Sequence, residues 1–258
     1  MNINYVPLYL NKTLFALAVV LNTSLGSMAQ ANEHATTVTK VAAKNTQSTS
    51  QQSAIQTSAV QKSLEAKSTL MAKLANLDYF SANFSQEVRS DAGEILETSS
   101  GKLAISKPNL ANWHTNEPDE LAIVSDGQDV WFYNPWIEQV SVYSLSAAIA
   151  KTPILLLTSK DETLWQQYTV TKANKNTDKK SESFVISAKD VHSQIKSLTL
   201  IFDLSNKKGN LQQFYFLDAT GQLSHIKLTH FDDQNIPDAS LFNFVVPEGV
   251  QIDDQRAN

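Results

Sequence analysis

Phe80-Ser81-Ala82-Asn83-Phe84-Ser85-Gln86-Glu87-Val88 is the stretch that decides the fold. Phe80, Ala82, Phe84, Gln86 and Val88 alternate with Ser81, Asn83, Ser85 and Glu87. That period of two is what a half-buried strand imposes, because successive side chains on a strand point to opposite faces. Upstream the period changes. Val60, Leu64, Met71, Leu74 and Asp78 fall largely on one helical stripe, with Leu70 and Leu77 beside it and Lys62, Glu65, Lys67, Ser68 and Lys73 elsewhere. The spacing predicts an amphipathic helix over 60–77 whose apolar face needs a partner.

Downstream, strand-like runs follow at 95–99, 101–106, 110–115, 120–125, 129–133 and 138–144. Turn signals part them, among them Lys107-Pro108-Asn109, Glu117-Pro118-Asp119 and Ser125-Asp126-Gly127. Residues 145–159 interrupt the pattern, with Thr152 and Pro153 placed as N-cap and first helical residue ahead of Ile154-Leu155-Leu156-Leu157. Strands resume at 165–171, 183–188, 195–203, 210–217, 222–230 and 242–246. No helical crossover separates them, so an antiparallel meander is expected. The fold class is mainly β (α+β): one domain over 60–258, a large curved antiparallel sheet with one or two helices against it.

The rest of the chain is not read as fold. Lys12 precedes the apolar run Thr13–Leu21, and Ser27-Met28-Ala29-Gln30-Ala31 closes the segment. This is the order of a secretory signal peptide over 1–31, cleaved after Ala29 or Ala31, and it implies export. Residues 32–59 are rich in Ser, Thr and Gln and lack aromatic residues. They bury too little apolar surface to offset their ordering entropy, and a disordered leader is expected.

Composition removes several chemistries. The chain has 258 residues, a net charge of −5 and no cysteine. The charge argues against a nucleic-acid partner. The cysteine count excludes disulfides, thiolate nucleophiles and Cys-ligated metals. No nucleophile elbow, zinc helix or phosphate-binding loop is present. The scattered histidines (34, 114, 192, 225, 230) and the pairs Asp232-Asp233 and Asp253-Asp254 read as surface residues. No catalytic residue, metal or cofactor is expected. What remains is an aromatic-rich sheet face. It leaves either an apolar cavity or a face filled by helix 60–77 and segment 147–157, and composition does not separate the two.

Lys107-Pro108-Asn109-Leu110-Ala111-Asn112-Trp113-His114, Ser125-Asp126-Gly127, Val130-Trp131-Phe132-Tyr133-Asn134-Pro135 and Glu138-Gln139 together resemble the LolA family of periplasmic outer-membrane lipoprotein carriers. Thr152-Pro153, Trp165-Gln166-Gln167-Tyr168 and the run from Phe242 to Asp253 continue the likeness, which is colinear from about Leu74 to Asp254. The resemblance implies an open, unclosed β-barrel with helices covering its mouth. It implies a non-enzymatic chaperone, expected to act as a monomer in the periplasm. Such a protein accepts triacylated lipoproteins released from the inner membrane by the LolCDE complex and passes them to the outer-membrane receptor LolB. LolB itself is excluded, since it needs an N-terminal cysteine. The alternative is a periplasmic lipid-sensing regulatory domain of the same fold.

Site residues follow from the same reading. Lys107 stands where the family usually has an arginine implicated in latching the lid. Ile154, Leu155 and Leu157 form the lid's apolar face. The expected cavity wall is Trp113, Phe80, Phe84, Val88 and Ala111, with Leu64, Met71 and Leu74 on the covering helix. Each of these apolar side chains is equally at home in an ordinary core.

Overall fold

The computed structural model of the chain describes residues 48–149, 152–173, 180–205 and 209–256. The expected signal peptide, and residues 32–47 of the expected leader, lie outside the described residues.

Helix α1 spans Ser48–Ala75 and leads into β1 (Tyr79–Arg89), β2 (Ile95–Ser106), β3 (Leu110–Glu117), β4 (Leu121–Asp126), β5 (Asp129–Asn134) and β6 (Gln139–Ser144). A covering strip follows, made of α2 (Leu145–Ile149) and a 3₁₀ segment (Pro153–Leu157), then α3 (Glu162–Trp165). The chain returns to the sheet with β7 (Tyr168–Lys172), β8 (Ser181–Ala188), β9 (Ile195–Asp203), β10 (Asn210–Asp218) and β11 (Leu223–Asp232), and ends in β12 (Gln251–Asp254). The result is one 12-stranded sheet in the order β12-β6-β5-β4-β3-β2-β1-β11-β10-β9-β8-β7. Its neighbours are antiparallel, as the short turns require, except that β12 runs parallel to β6 with Ile252 beside Val140.

The sheet is open and curls. β3 and β10 stand four places apart in the strand order, roughly 19 Å across a flat sheet at about 4.8 Å per strand. Yet the rings of Trp113 on β3 and Phe214 on β10 are 6.3 Å apart. Only a sheet wrapped around its own apolar face brings them together, and that face is the hollow considered next.

Several elements differ from the sequence reading. The helix begins at Ser48 rather than Val60, so the end of the stretch read as a disordered leader is helical. Once the C-terminal half is docked, each further residue only propagates an existing helix, which costs little for Gln and Ala. The runs 95–99 and 101–106 are a single strand. Gly101 marks a close approach, not a break: a Cβ there would collide with the His114 carbonyl and stand 2.8 Å from the Phe84 ring. β7 starts at Tyr168, because Asp161 caps α3 by accepting from Thr163 N at 2.8 Å and draws Trp165 into the helix. Residues 242–246 are not a strand. That segment lies over the sheet, with Phe244 stacked at 5.7 Å on Trp131, and alternation arises because every second side chain faces the surface beneath.

Candidate functional site

The hollow is built from the alternating residues the strands turn inward. Trp113 is 2% exposed, meets the Phe84 ring at 4.1 Å and stands edge-on to Phe214. Its one polar atom, Nε1, donates to Thr115 Oγ1 at 3.2 Å, so the indole is buried without an orphaned donor. Phe80 stacks on Phe231 at 4.8 Å. Ala111 and Leu74 join the same buried cluster, and Met71 packs against it half-buried.

Of the residues read from sequence, Trp113, Phe80, Phe84, Ala111, Leu74, Ile154, Leu155 and Leu157 are brought together there. Val88 is buried but stands outside this cluster, further along β1 where the hollow ends. Leu64 is not in the hollow at all: it is 57% exposed. The buried stripe of α1 is Ala66, Leu70, Leu74 and Leu77, roughly a quarter turn from the stripe read by hydrophobicity. The reason is polar. Ser63 Oγ donates to the Val170 carbonyl at 2.8 Å and Lys67 Nζ to the Trp165 carbonyl at 2.7 Å. Lys73 Nζ pairs with Glu182 Oε2 at 2.8 Å. These ties turn a partly charged side of the helix toward α3 and the strands β7 and β8. The residues that sequence reasoning did not single out are Phe214, Phe184 and Phe202, all less than 2% exposed. Alternation within β8, β9 and β10 is the signal that marks them.

The cover fills the hollow. Ala148, Ile149 and the run Ile154–Leu157 are buried against it. Among the described residues, a space beneath them lined by Ile149, Leu156, Tyr168, Ile186, Ile195 and Leu198 is about 10 Å³. That is about one water molecule's worth, against roughly 300–1,000 Å³ for a pocket holding a small molecule.

Both pieces of the cover are held by one turn, residues 107–109. Lys107 Nζ donates to the carbonyl of Leu74 in the last turn of α1, where a cation meets the negative end of the helix dipole. Lys107 N donates to Asp78 O at 2.8 Å, and Asn109 N to Thr158 O at 3.3 Å. Asn109 takes φ of 64°, a left-handed conformation that asparagine tolerates, and its carbonyl accepts from Ser125 Oγ at 2.6 Å. Lys107 thus bonds to α1, while its neighbour Asn109 reaches the end of the strip. Burial pulls the Lys107 ammonium down to about 8; Asp78 opposes that and Lys160 adds to it. Thr152 does not cap the 3₁₀ segment with its side chain. Its Oγ1 is buried with no hydrogen-bond partner among the described residues.

A family model described as outer membrane lipoprotein carrier protein LolA matches residues 75–245. The outer-membrane lipoprotein carrier protein of Aeromonas salmonicida is 36% identical over 192 residues, covering 74% of this chain and 90% of its own. Its counterpart from Psychromonas ingrahamii is 40% identical over 187 residues, 72% of this chain and 86% of its own. That of Shewanella sediminis is 40% identical over 190 residues, 73% and 86%. The matched stretch holds the whole sheet except β12, together with the 107–109 turn and the covering strip.

Proposed function

Because this chain belongs to the LolA family of outer membrane lipoprotein carrier proteins, we propose that it takes triacylated lipoproteins released by LolCDE at the inner membrane, crosses the periplasm with them and hands them to LolB. Segment 1–31 directs its export. The protein makes and breaks no covalent bond. It shields acyl chains that would otherwise meet water, at about 0.8 kcal/mol for each methylene.

The observation that carries this reading is an aromatic hollow whose filling is separable from its walls. The walls are strands locked by backbone pairing. The filling is α1 and the strip, both tied at residues 107–109, with α1 fastened further by Ser63, Lys67 and Lys73. When the cover lifts, Trp113, Phe80, Phe84 and Ala111 become the surface an acyl chain contacts, with Leu74 and Met71 at its margin. Ile154, Leu155 and Leu157 then give up their contacts to the chain. Lys107 sets how firmly the empty form closes.

The test is release from membranes. Purified mature protein is incubated with inner-membrane vesicles bearing a labelled lipoprotein and an active releasing complex. The expected result is an energy-dependent, one-to-one soluble complex. Absence of soluble lipoprotein, with the releasing complex proven active, overturns the proposal.

A further inference from the structure

An open cleft of about 290 Å³ lies beside the covering strip, lined by Asn109, Ser146, Ile149, Asp161, Gln167 and Tyr168 among others. Two of these, Ile149 and Tyr168, also line the small space beneath the strip, together with Ile186, Ile195 and Leu198. The outer cleft and the inner space therefore share a wall, and Ile149 and Tyr168 stand in it. Ile149 is 6% exposed, and Tyr168 is half-buried with its ring edge-on to Trp165 at 6.4 Å.

From outside inward the order is a rim of amide, hydroxyl and carboxylate groups, then a throat of one aliphatic and one aromatic side chain, then an aliphatic interior. That order is the order of a single-chain amphiphile entering tail first. We propose that acyl chains enter the hollow between α2 and α3, through the Ile149–Tyr168 throat, while their carbonyl and glyceryl groups stay at the Asn109–Asp161–Gln167 rim. The ligand's chemistry rests on the carrier reading; the route does not.

A second observation places the opening on this side. Thr152, in the strip between Ile149 and Leu156, buries a hydroxyl that has no partner among the described residues. A buried unsatisfied group works against the state that buries it, and lifting the strip lets Thr152 Oγ1 reach water or the ester carbonyl of an entering chain. α1 differs. Ser63, Lys67 and Lys73 fasten it to β7, α3 and β8 respectively. The strip's ends are held by two backbone amides, Leu145 N to Gln128 O at 2.9 Å and Asn109 N to Thr158 O at 3.3 Å, with a Ser144–Ser146 hydroxyl pair at 3.3 Å and a bond from Trp165 Nε1 to Ser159 O at 3.4 Å beside them.

The native chain has no cysteine, which makes the throat testable by a reversible staple. Ile149→Cys and Tyr168→Cys are combined and joined with a short reducible bis-thiol linker. The probe is a long-chain fatty acid carrying a terminal diazirine. In the native protein and in the unlinked variant, light is expected to attach it to β8 and β9 around Ile186, Ile195 and Leu198. Linking should abolish that labelling, and reduction should restore it, which also shows that the variant is folded. Labelling that persists with the throat linked, or that falls on the α1 side around Ala66 and Leu70, overturns the route. The two readings fail separately. If the linked protein still takes up lipoprotein from membranes, the route falls and the carrier stands. If native protein takes up no lipoprotein but the fatty acid still enters only through the unlinked throat, the carrier falls and the route stands.

Discussion

Trp113→Ala measures whether the hollow is filled in solution. In the closed arrangement the indole is 2% exposed and packs on Phe84 at 4.1 Å and Phe214 at 6.3 Å. Truncating such a side chain removes its transfer free energy and leaves a gap that the curled sheet cannot close, a loss of about 3–5 kcal/mol. A domain with a total stability of roughly 5–15 kcal/mol survives that loss, but only with a large shift in its unfolding curve. Followed by far-ultraviolet circular dichroism, the urea midpoint should drop by roughly 1–2 M.

The Phe84 contact gives the same test a second arm. A double-mutant cycle of Trp113→Ala with Phe84→Leu should show coupling of about 0.5–1.5 kcal/mol, the usual worth of an aromatic pair beyond its buried area. Leu64→Ala is the control, since Leu64 is 57% exposed and should change stability by no more than about 0.5 kcal/mol. A Trp113→Ala loss below about 1 kcal/mol, with no coupling to Phe84, would mean that the indole already faces open space. The filled hollow, and the need to displace its filling, would then both be wrong.

Lys107→Leu should separate closure from folding. The Leu74 carbonyl keeps its bond from Leu77 N at 3.0 Å, so no acceptor is orphaned and stability should move by about 1 kcal/mol or less. Uptake of lipoprotein should persist while hand-off to the receptor slows; normal hand-off would remove the latch role. In the folded chain Lys107 titrates at about 8 against 10.5 when free. The folded state therefore binds fewer protons, stability from this group rises with pH between those values, and Lys107→Leu should flatten that rise in urea titrations. Glu182 is only 13% exposed; burial would raise its carboxyl, but hydrogen bonds from Lys172 and Lys73 outweigh burial and hold it below the ordinary 4.5. Its contribution to docking α1 is present above that value and fades as pH falls through the lowered one. The protection of α1 amides, taken relative to their intrinsic exchange rate at each pH, should fall on acidification in the native protein and stay constant in Glu182→Gln; identical protection profiles would refute the tie.

What was legible in the sequence is what depends on local pattern. The alternation from Phe80 to Val88 and the turns at Pro108, Pro118 and Gly127 place β1 and β3 to β5 almost residue by residue, because a strand with one buried face must alternate and a reversal needs particular backbone angles. Phe84 and Trp113 follow from parity alone. Their meeting with Phe214 does not, since it depends on how far the sheet curls, a property of all the strands together. The face of α1 was misread because burial there is decided by polar demand. The edge strand and the end of α3 each offer a carbonyl and Glu182 offers a carboxylate, and Ser63, Lys67 and Lys73 answer them from the side that hydrophobicity assigns to solvent. β12 escaped notice because Gln251-Ile252-Asp253-Asp254 has little strand character; β6 recruits it through backbone groups.

The filled hollow bears directly on how a carrier can both hold and release. An empty preformed cavity would give an entering acyl chain of about fifteen methylenes the whole of its transfer free energy, about 12 kcal/mol. Here the chain must first displace a cover that uses the same surface. Ile154, Leu155, Leu156 and Leu157 are each less than 5% exposed, and at about 1.5–3 kcal/mol apiece their burial is worth about 6–12 kcal/mol. The two quantities nearly cancel for the first chain to enter. Binding then rests on a small difference between large terms, and the cover acts as a competitor that is always at hand. A small change at the mouth, such as a receptor offering a better apolar surface, is enough to tip the exchange. On the same account, strengthening the hollow's grip on either occupant alone would harm transport: a tighter cover would refuse cargo, and a looser one would leave the chain in place.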